Sequence, residues 1–93
     1  MSKDLILELY TRPTCSDCQE AKKFLASKGI SYIDKDVSKD ESLELEMKQI
    51  SGTRIVPSFA FYKKGLFGNK KIVKNIIGFE INKQEIKQLL NVN

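Results

Sequence analysis

Residues 5–18 read LILELYTRPTCSDC and contain both cysteines of the chain. The first seven of them are mostly apolar, which predicts a buried central β-strand over residues 5–11. Thr14, with the acidic residue Asp17 three positions later, is typical of a helix N-terminus in which Thr14 is the N-cap. Because the strand leads directly into this helix, the two cysteines are predicted at a strand–helix junction.

Strand and helix patterns alternate along the rest of the chain in the order β-α-β-α-β-β-α. A βαβ unit joins parallel strands, and the last two strands form an antiparallel hairpin. We therefore predict a single α/β domain over residues 1–93, with a mixed four-stranded sheet flanked by helices. The predicted elements are a strand over 5–11, a helix that stops at Lys28-Gly29, a strand over 30–34, a helix that starts with the capping box Ser38–Glu41 and closes at Ser51-Gly52, strands over 57–63 and 70–78, and a helix from Asn82.

The composition is that of one globular domain. The chain has 93 residues, of which 41% are hydrophobic and 30% charged. No apolar run approaches the roughly 18–20 residues that span a bilayer, and the start of the chain lacks the apolar core and cleavage site of a signal peptide. We therefore expect a cytoplasmic monomer without a membrane partner.

Positive charge is concentrated in the second half of the chain. Residues 1–50 carry eight basic and ten acidic side chains, whereas residues 51–93 carry eight and two. The basic hairpin over residues 63–74 predicts either a docking face for an acidic protein or nucleic acid, or a solvated hairpin whose charge opposes aggregation. We favour the second interpretation, so no nucleic-acid partner is expected. The hairpin lysines are Lys63, Lys64, Lys70, Lys71 and Lys74.

The spacing of Cys15 and Cys18 predicts thiol–disulfide chemistry. A cysteine attacks a disulfide as the thiolate, and the N–H groups and dipole of a helix N-terminus favour that charge. Cys15 is therefore the predicted nucleophile, with a lowered pKa that Arg12 would lower further. Cys18, one turn along the helix and shielded, is the predicted resolving thiol. Asp17 is expected to cap the helix, and its charge should raise the pKa of Cys15 and make the couple more reducing.

Two structural alternatives for the cysteine pair are disfavoured. A closed zinc site needs four ligands, and the chain has two cysteines and no histidine. A purely structural disulfide would close too short a loop to constrain the unfolded chain, and it would be unusual in the cytosol. We therefore predict no metal site and a redox-active pair.

A proline opens the predicted third strand, in the step Val56-Pro57. Proline is tolerated at the first residue of a strand, so this step could mark a boundary alone. The alternative is a cis bond, which is rare without a reason. A cis bond here would expose the backbone of Val56 for pairing with a substrate.

Taken together, residues 10–18, 25–30 and 55–57 resemble the glutaredoxins, a family of the thioredoxin superfamily, and the resemblance extends over about residues 4–90. It implies a thioredoxin-like fold and an enzyme, a thiol–disulfide oxidoreductase that reduces protein or mixed disulfides through Cys15 and Cys18. Glutathione would be a reductant and not a bound cofactor. The resemblance implies contacts of a glutathionyl group with Val56, Pro57, Arg12, Arg54, Gly78 and Glu80.

The chain also departs from the glutaredoxin pattern. Residues 77–81 have Gly78 and Glu80 but lack the first glycine and the second acid, and CSDC replaces the family's Cys-Pro-Tyr-Cys. Gly78-Phe79 is more similar to the NrdH-redoxins, which donate electrons to ribonucleotide reductase and are recharged by thioredoxin reductase. The leading hypothesis is a dithiol reductase of a disulfide-containing protein, recharged by glutathione or thioredoxin reductase. The alternatives are an NrdH-like electron donor and a non-enzymatic binding module that uses the basic hairpin.

Overall fold

A computed structural model describes residues 5–93, apart from the side chain of Leu66. Asp4, which bounds the predicted first strand, lies outside this range. The described residues form four strands and three α-helices in the predicted order, with two short 3₁₀ turns. The elements are β1 Leu5–Thr11, α1 Ser16–Ser27, β2 Ile33–Asp36, α2 Glu41–Ser51, β3 Ser58–Lys64, a 3₁₀ turn Leu66–Gly68, β4 Lys70–Ile77, a 3₁₀ turn Glu80–Asn82, and α3 Lys83–Leu90.

The four strands form one mixed sheet in the order β2-β1-β3-β4. β1 lies parallel to β2 and antiparallel to β3, with Leu9 opposite Asp34 on one side and Phe59 on the other. β3 and β4 form the predicted antiparallel hairpin, with a register shift between Phe61 and Tyr62. The predicted mixed four-stranded sheet and the central position of the first strand are confirmed.

Helices cover both faces of the sheet, as predicted. Alternate side chains of a strand point to opposite faces, so β1 contributes to two cores. On one face Leu9 packs in a cluster with Leu25 of α1 and Ile86 of α3. On the other face Tyr10 packs with Met47 of α2. Full burial of a side chain of this size stabilises the fold by about 1.5–3 kcal/mol, so these contacts hold the end of β1 firmly in place.

The predicted cap of the first helix is wrong by one residue. α1 begins at Ser16, and its N-cap is Cys15, whose Sγ accepts a hydrogen bond from the N–H of Cys18 at 3.0 Å. Thr14 instead lies in a turn that is closed by a hydrogen bond from the Cys15 N–H to the Arg12 carbonyl (3.2 Å). Cys15 is therefore the N-cap of α1, the position for which the sequence pattern predicts Thr14.

The cap of the second helix is also misplaced in the prediction. Asp40, and not Ser38, is the N-cap of α2, and its carboxylate accepts the N–H of Ser42 at 2.9 Å. Ser38 donates to the carboxylate of Asp36 instead. A carboxylate caps a helix as well as a hydroxyl does, and Asp40, which directly precedes α2, takes this role.

The second strand begins three residues later than predicted. The N–H of Ile30 donates to the carbonyl of Leu25 at 2.9 Å, and Gly29 has φ +66°. Ile30 therefore belongs to the turn that closes α1, because its N–H satisfies a helix carbonyl that would otherwise have no partner. The strand also ends two residues later than predicted, at Asp36. Apart from the start of α2, the other predicted boundaries agree with the structure to within one residue.

A charged cluster lies on the α2 side of the sheet. Glu8 is only 2% exposed; its Oε2 is hydrogen-bonded by Lys70, and its Oε1 lies 2.9 Å from Lys35 Nζ without hydrogen-bond geometry. Lys35 also bonds Glu46, which accepts a hydrogen bond from the Tyr10 hydroxyl. Burial by itself would raise the pKa of Glu8, but the two ammonium groups outweigh it and hold that pKa below 4.5. Burial and the neighbouring Glu46 both raise the pKa of Tyr10.

Candidate active site

Cys15 and Cys18 form a disulfide at the N-terminus of α1, with their Cα atoms 5.2 Å apart. The two cysteines differ in exposure, since Cys18 is fully buried whereas Cys15 is partly exposed. The hydrogen bond from the Cys18 N–H places a backbone donor on the Cys15 sulfur. An external sulfur therefore meets Cys15 before Cys18.

Asp17 does not cap the helix, so that prediction is wrong. Its Oδ2 accepts a hydrogen bond from the N–H of Phe79 at 2.8 Å, and its Oδ1 accepts one from the N–H of Glu80 at 3.2 Å. Hydrogen bonds to an ionised acceptor are roughly twice as strong as neutral ones. Asp17, between the two cysteines, therefore links the first turn of α1 by hydrogen bonds to the segment that follows β4.

The Val56-Pro57 step lies beside the disulfide, and its peptide bond is cis, as the alternative prediction had it. The carbonyl oxygen of Val56 is 3.9 Å from Cys15 Sγ. Among the residues that the structure describes, the N–H of Val56 has no hydrogen-bond acceptor. Pro57 is buried, and its carbonyl accepts the N–H of Gly78, the residue after β4, at 2.8 Å.

Arg12 and Arg54 converge on a single carboxylate. One guanidinium nitrogen of Arg12 bonds Oε2 of Glu44, and Nε of Arg54 lies 3.8 Å from Oε1 of the same side chain. Arg12 directly follows β1, Arg54 lies in the loop that leads to Val56, and Glu44 is in the first turn of α2. The two arginines predicted to meet substrate carboxylates therefore already share a carboxylate of the chain itself.

Comparison with known proteins identifies the family. The family model described as Glutaredoxin matches residues 7–62, a range that includes both cysteines and the Val56-Pro57 step. The chain belongs to the glutaredoxin family. It is a thiol–disulfide oxidoreductase, and Cys15 and Cys18 are its CxxC pair.

Individual relatives agree with this assignment. The uncharacterized glutaredoxin-like 8.6 kDa protein in the rubredoxin operon of Clostridium pasteurianum is 33% identical over 85 residues, which are 91% of this chain and 97% of that protein. Glutaredoxin 3 of Escherichia coli is 37% identical over 51 residues, 55% of this chain but only 61% of that protein. The crystal structure of a thioredoxin-like protein superposes with a TM-score of 0.72 at 25% identity, covering 99% of this chain and 100% of that one. The predicted thioredoxin-like fold is confirmed.

Gly78 and Glu80, the remaining predicted binding residues of this glutaredoxin, lie in the turn after β4. Gly78 has φ +94°, a conformation that residues with a Cβ rarely adopt, and its N–H is already bonded to Pro57. A Cβ at this position would also lie 3.2 Å from the side chain of Ile81. Glu80 has an exposed side chain, while its backbone N–H points to Asp17. Both residues are therefore linked through their backbone N–H groups to neighbours of the cysteine pair, Gly78 to Pro57 and Glu80 to Asp17.

Two of the five lysines of the basic hairpin form ion pairs with acidic side chains of the chain itself. Lys70 bonds the buried Glu8 and lies 4.5 Å from the centroid of the Tyr62 ring, and Lys74 is 3.0 Å from Glu85 of α3. Their charges therefore contribute to the fold. The remaining lysines, Lys63, Lys64 and Lys71, are exposed.

Two contacts near the cysteine pair had no signal in the sequence. Glu44 is one of several acids in α2, and nothing in its local pattern marks it as the partner of Arg12 and Arg54. The backbone N–H of Phe79 as a partner of Asp17 is also invisible to local patterns, because the two residues are 62 positions apart. Contacts of this kind depend on how the segments pack.

The described residues contain neither a metal-binding cluster nor a membrane-spanning helix. Within residues 5–93, potential metal-ligating side chains do not gather in groups of three or more. No helix in this range has the length and apolarity needed to cross a bilayer.

Proposed function

We propose that this glutaredoxin reduces disulfides of other proteins by dithiol exchange, with Cys15 as the nucleophile and Cys18 as the resolving thiol. The observation that carries the proposal is the unequal exposure of the pair, with Cys15 partly exposed and Cys18 fully buried. A buried sulfur cannot meet a protein disulfide directly, but it is well placed to attack a bond that forms on its neighbour.

The reaction begins from the reduced protein. The Cys15 thiolate attacks one sulfur of the substrate disulfide; that bond breaks, and the leaving thiolate takes up a proton. Cys18 then loses its proton and attacks Cys15 Sγ in the mixed disulfide, which releases the second substrate thiol. Two electrons pass to the substrate, and the protein is left with the Cys15–Cys18 disulfide.

Local backbone groups favour the thiolate of Cys15. Its sulfur accepts the Cys18 N–H at 3.0 Å and lies at the N-terminus of α1, where the helix dipole stabilises negative charge. During recharging, a first thiol attacks Cys15 Sγ and frees Cys18. The same N–H then stabilises Cys15 as the leaving group when a second thiol attacks the mixed disulfide, because a stabilised thiolate leaves faster.

We infer that the substrate chain binds along Val56. The N–H of this residue is without an acceptor in the described structure, and its carbonyl is 3.9 Å from the attacking sulfur. A backbone that pairs here in an extended conformation would be held by main-chain hydrogen bonds, which do not depend on substrate sequence. This arrangement suits an enzyme that acts on disulfides in various protein contexts.

The assignment of Cys15 is tested by Cys15→Ser in an insulin-reduction assay with dithiothreitol as the electron source. We expect activity to fall to the uncatalysed rate. Ser16→Ala, which alters an exposed side chain of the same helical turn, should retain wild-type activity. Full activity of Cys15→Ser would refute the assignment.

A second candidate function concerns the reductant. The N–H groups of Phe79 and Glu80, which adjoin the predicted glutathione contacts at Gly78 and Glu80, are occupied by Asp17. This favours recharging by a thioredoxin reductase, as in the NrdH-redoxins, over recharging by glutathione. The oxidised protein is given NADPH with either thioredoxin reductase or glutathione and its reductase. NADPH consumption with the thioredoxin reductase supports the candidate, and consumption in the glutathione system alone contradicts it.

A further inference from the structure

Two arginines belong to the backbone segments that flank the exposed sulfur of the cysteine pair. The carbonyl of Arg12 accepts the N–H of Cys15 at 3.2 Å, so this residue is in the turn that carries the nucleophile. Arg54 is two residues before Val56, whose carbonyl lies 3.9 Å from Cys15 Sγ. The resemblance to the glutaredoxins implies that the carboxylates of a ligand bound at Cys15 would meet these guanidinium groups.

Both cations are already engaged by Glu44. Its two carboxylate oxygens are divided between them, Oε2 to Arg12 and Oε1 to Arg54. The side chains of Arg12 and Glu44 are 32% and 28% exposed, so their pair is partly shielded from water. An incoming carboxylate would have to displace Glu44 from a guanidinium group or approach it against the repulsion of a like charge.

We propose that Glu44 is a specificity-determining residue, which occupies Arg12 and Arg54 and thereby disfavours anionic thiols such as glutathione at Cys15. The inference rests on the proposed function, because it takes thiol attack on the Cys15–Cys18 disulfide as the recharging step. Neutral thiols and protein thiols that bind along the backbone of Val56 need neither arginine. Glu44 therefore selects against small anionic reductants without hindering these partners.

A charge series of small thiols tests the proposal on the oxidised protein. The probes are cysteamine (cationic), 2-mercaptoethanol (neutral) and 3-mercaptopropionate (anionic), with glutathione as a fourth. Each attack breaks the Cys15–Cys18 bond, leaves the thiol attached to Cys15, and frees Cys18. Acid quenching, alkylation and mass spectrometry follow this product, and the rate constants are expressed per thiolate to remove differences in thiol pKa.

The critical comparison is between Glu44→Gln and Glu41→Gln. Both substitutions remove one negative charge from the first turn of α2, but Glu41 is an exposed residue outside the arginine pair. In Glu44→Gln we expect the ratio of the 3-mercaptopropionate rate to the 2-mercaptoethanol rate to rise about three- to five-fold, the factor that corresponds to one partly exposed ion pair. Glutathione should follow the anionic probe, cysteamine should slow, and Glu41→Gln should leave the ratio near its wild-type value.

Salt dependence and a second variant distinguish an electrostatic effect of Glu44→Gln from a change in the structure of the site. At about 1 M salt the screening length falls to about 3 Å, so the gain in Glu44→Gln should shrink. Arg54→Gln, at a side chain that is 59% exposed, leaves Glu44 facing Arg12 alone and should lower the anionic-to-neutral ratio. This variant provides the same test if Glu44→Gln does not fold.

The failures of the two proposals are distinguishable. An equal rise of the ratio in Glu44→Gln and Glu41→Gln, or no change in Glu44→Gln and Arg54→Gln, overturns the role of Glu44 while leaving dithiol exchange intact. If no thiol reduces the wild-type disulfide, the proposed function itself fails, and the inference fails with it.

Discussion

The carboxylate of Asp17 accepts the backbone N–H of Phe79 at 2.8 Å, across 62 positions of sequence. Its second oxygen accepts the N–H of Glu80 at 3.2 Å. The residue between the two cysteines therefore joins the start of α1 to the segment that leads into α3. One side chain thus connects the disulfide region to the turn after β4.

The stability of the oxidised protein should depend on this link. We expect Asp17→Ala to lower the free energy of unfolding by about 1–3 kcal/mol, because it leaves two backbone N–H groups without their acceptor. Urea unfolding at pH 7 measures the change. Glu20→Ala, at an exposed acid of the same helix, should change it by less than about 0.5 kcal/mol. Equal effects of the two variants would show that the link does not stabilise the fold.

The charge of Asp17 should also make the disulfide couple more reducing. A carboxylate near Cys15 disfavours the thiolate and so disfavours the reduced protein. Asp17→Asn removes the charge and keeps one acceptor oxygen, so we expect its reduction potential to be less negative. Equilibration with a dithiothreitol redox buffer measures the potential, and a shift to more negative values would contradict this role.

Cys18→Ser should halt the exchange after the first step. The nucleophile Cys15 remains in this variant, but nothing resolves the bond that it forms with the substrate. We expect a mixed disulfide between Cys15 and a protein substrate to accumulate, detectable as a covalent adduct by non-reducing electrophoresis and mass spectrometry. The Cys15→Ser variant is the matched control and should form no adduct; an adduct at Cys18 would reverse the assigned roles.

The stability of the fold should fall at acidic pH because of Glu8. Its pKa is lower in the folded protein than the ordinary 4.5, so the unfolded chain takes up this proton first. The contribution is therefore complete above pH 4.5 and is lost as the pH falls through the lower folded value. We expect Glu8→Gln to lower the free energy of unfolding by about 2–3 kcal/mol at pH 7. The loss is smaller than for a fully buried ion pair because the side chain of Lys70 is 44% exposed.

Urea unfolding of Glu8→Gln and wild type between pH 3 and pH 7 measures this contribution. The difference between the two proteins should narrow as the pH falls from 4.5 through the lowered pKa of Glu8, because the wild-type carboxyl then also becomes protonated. Glu41→Gln is again the exposed control and should show little change at any pH. A difference that is constant over this range would mean that Glu8 acts by packing and not by its charge.

Much of the fold was predictable because its signals are local. The apolar run Leu5–Thr11, the stop at Gly52 and the turn residues near Gly68 each act through their own backbone preferences or burial. The cap of α1 was misplaced because Thr14 and Cys15 both precede the helix and both carry an acceptor side chain. Only the observed backbone distinguishes them, since Cys15 has the extended conformation of an N-cap.

The sequence by itself determined the order of the elements and the pair of cysteines at a strand–helix junction. It also marked Arg12, Arg54 and Val56-Pro57 as neighbours of that pair, through their resemblance to a family. Only the tertiary structure decided what these groups contact: Glu44 takes both arginines, and Asp17 bonds Phe79 in place of its own helix. The physical reason is range. Propensity and capping act over a few residues, whereas a carboxylate pairs with whichever donors the packing of distant segments brings to it.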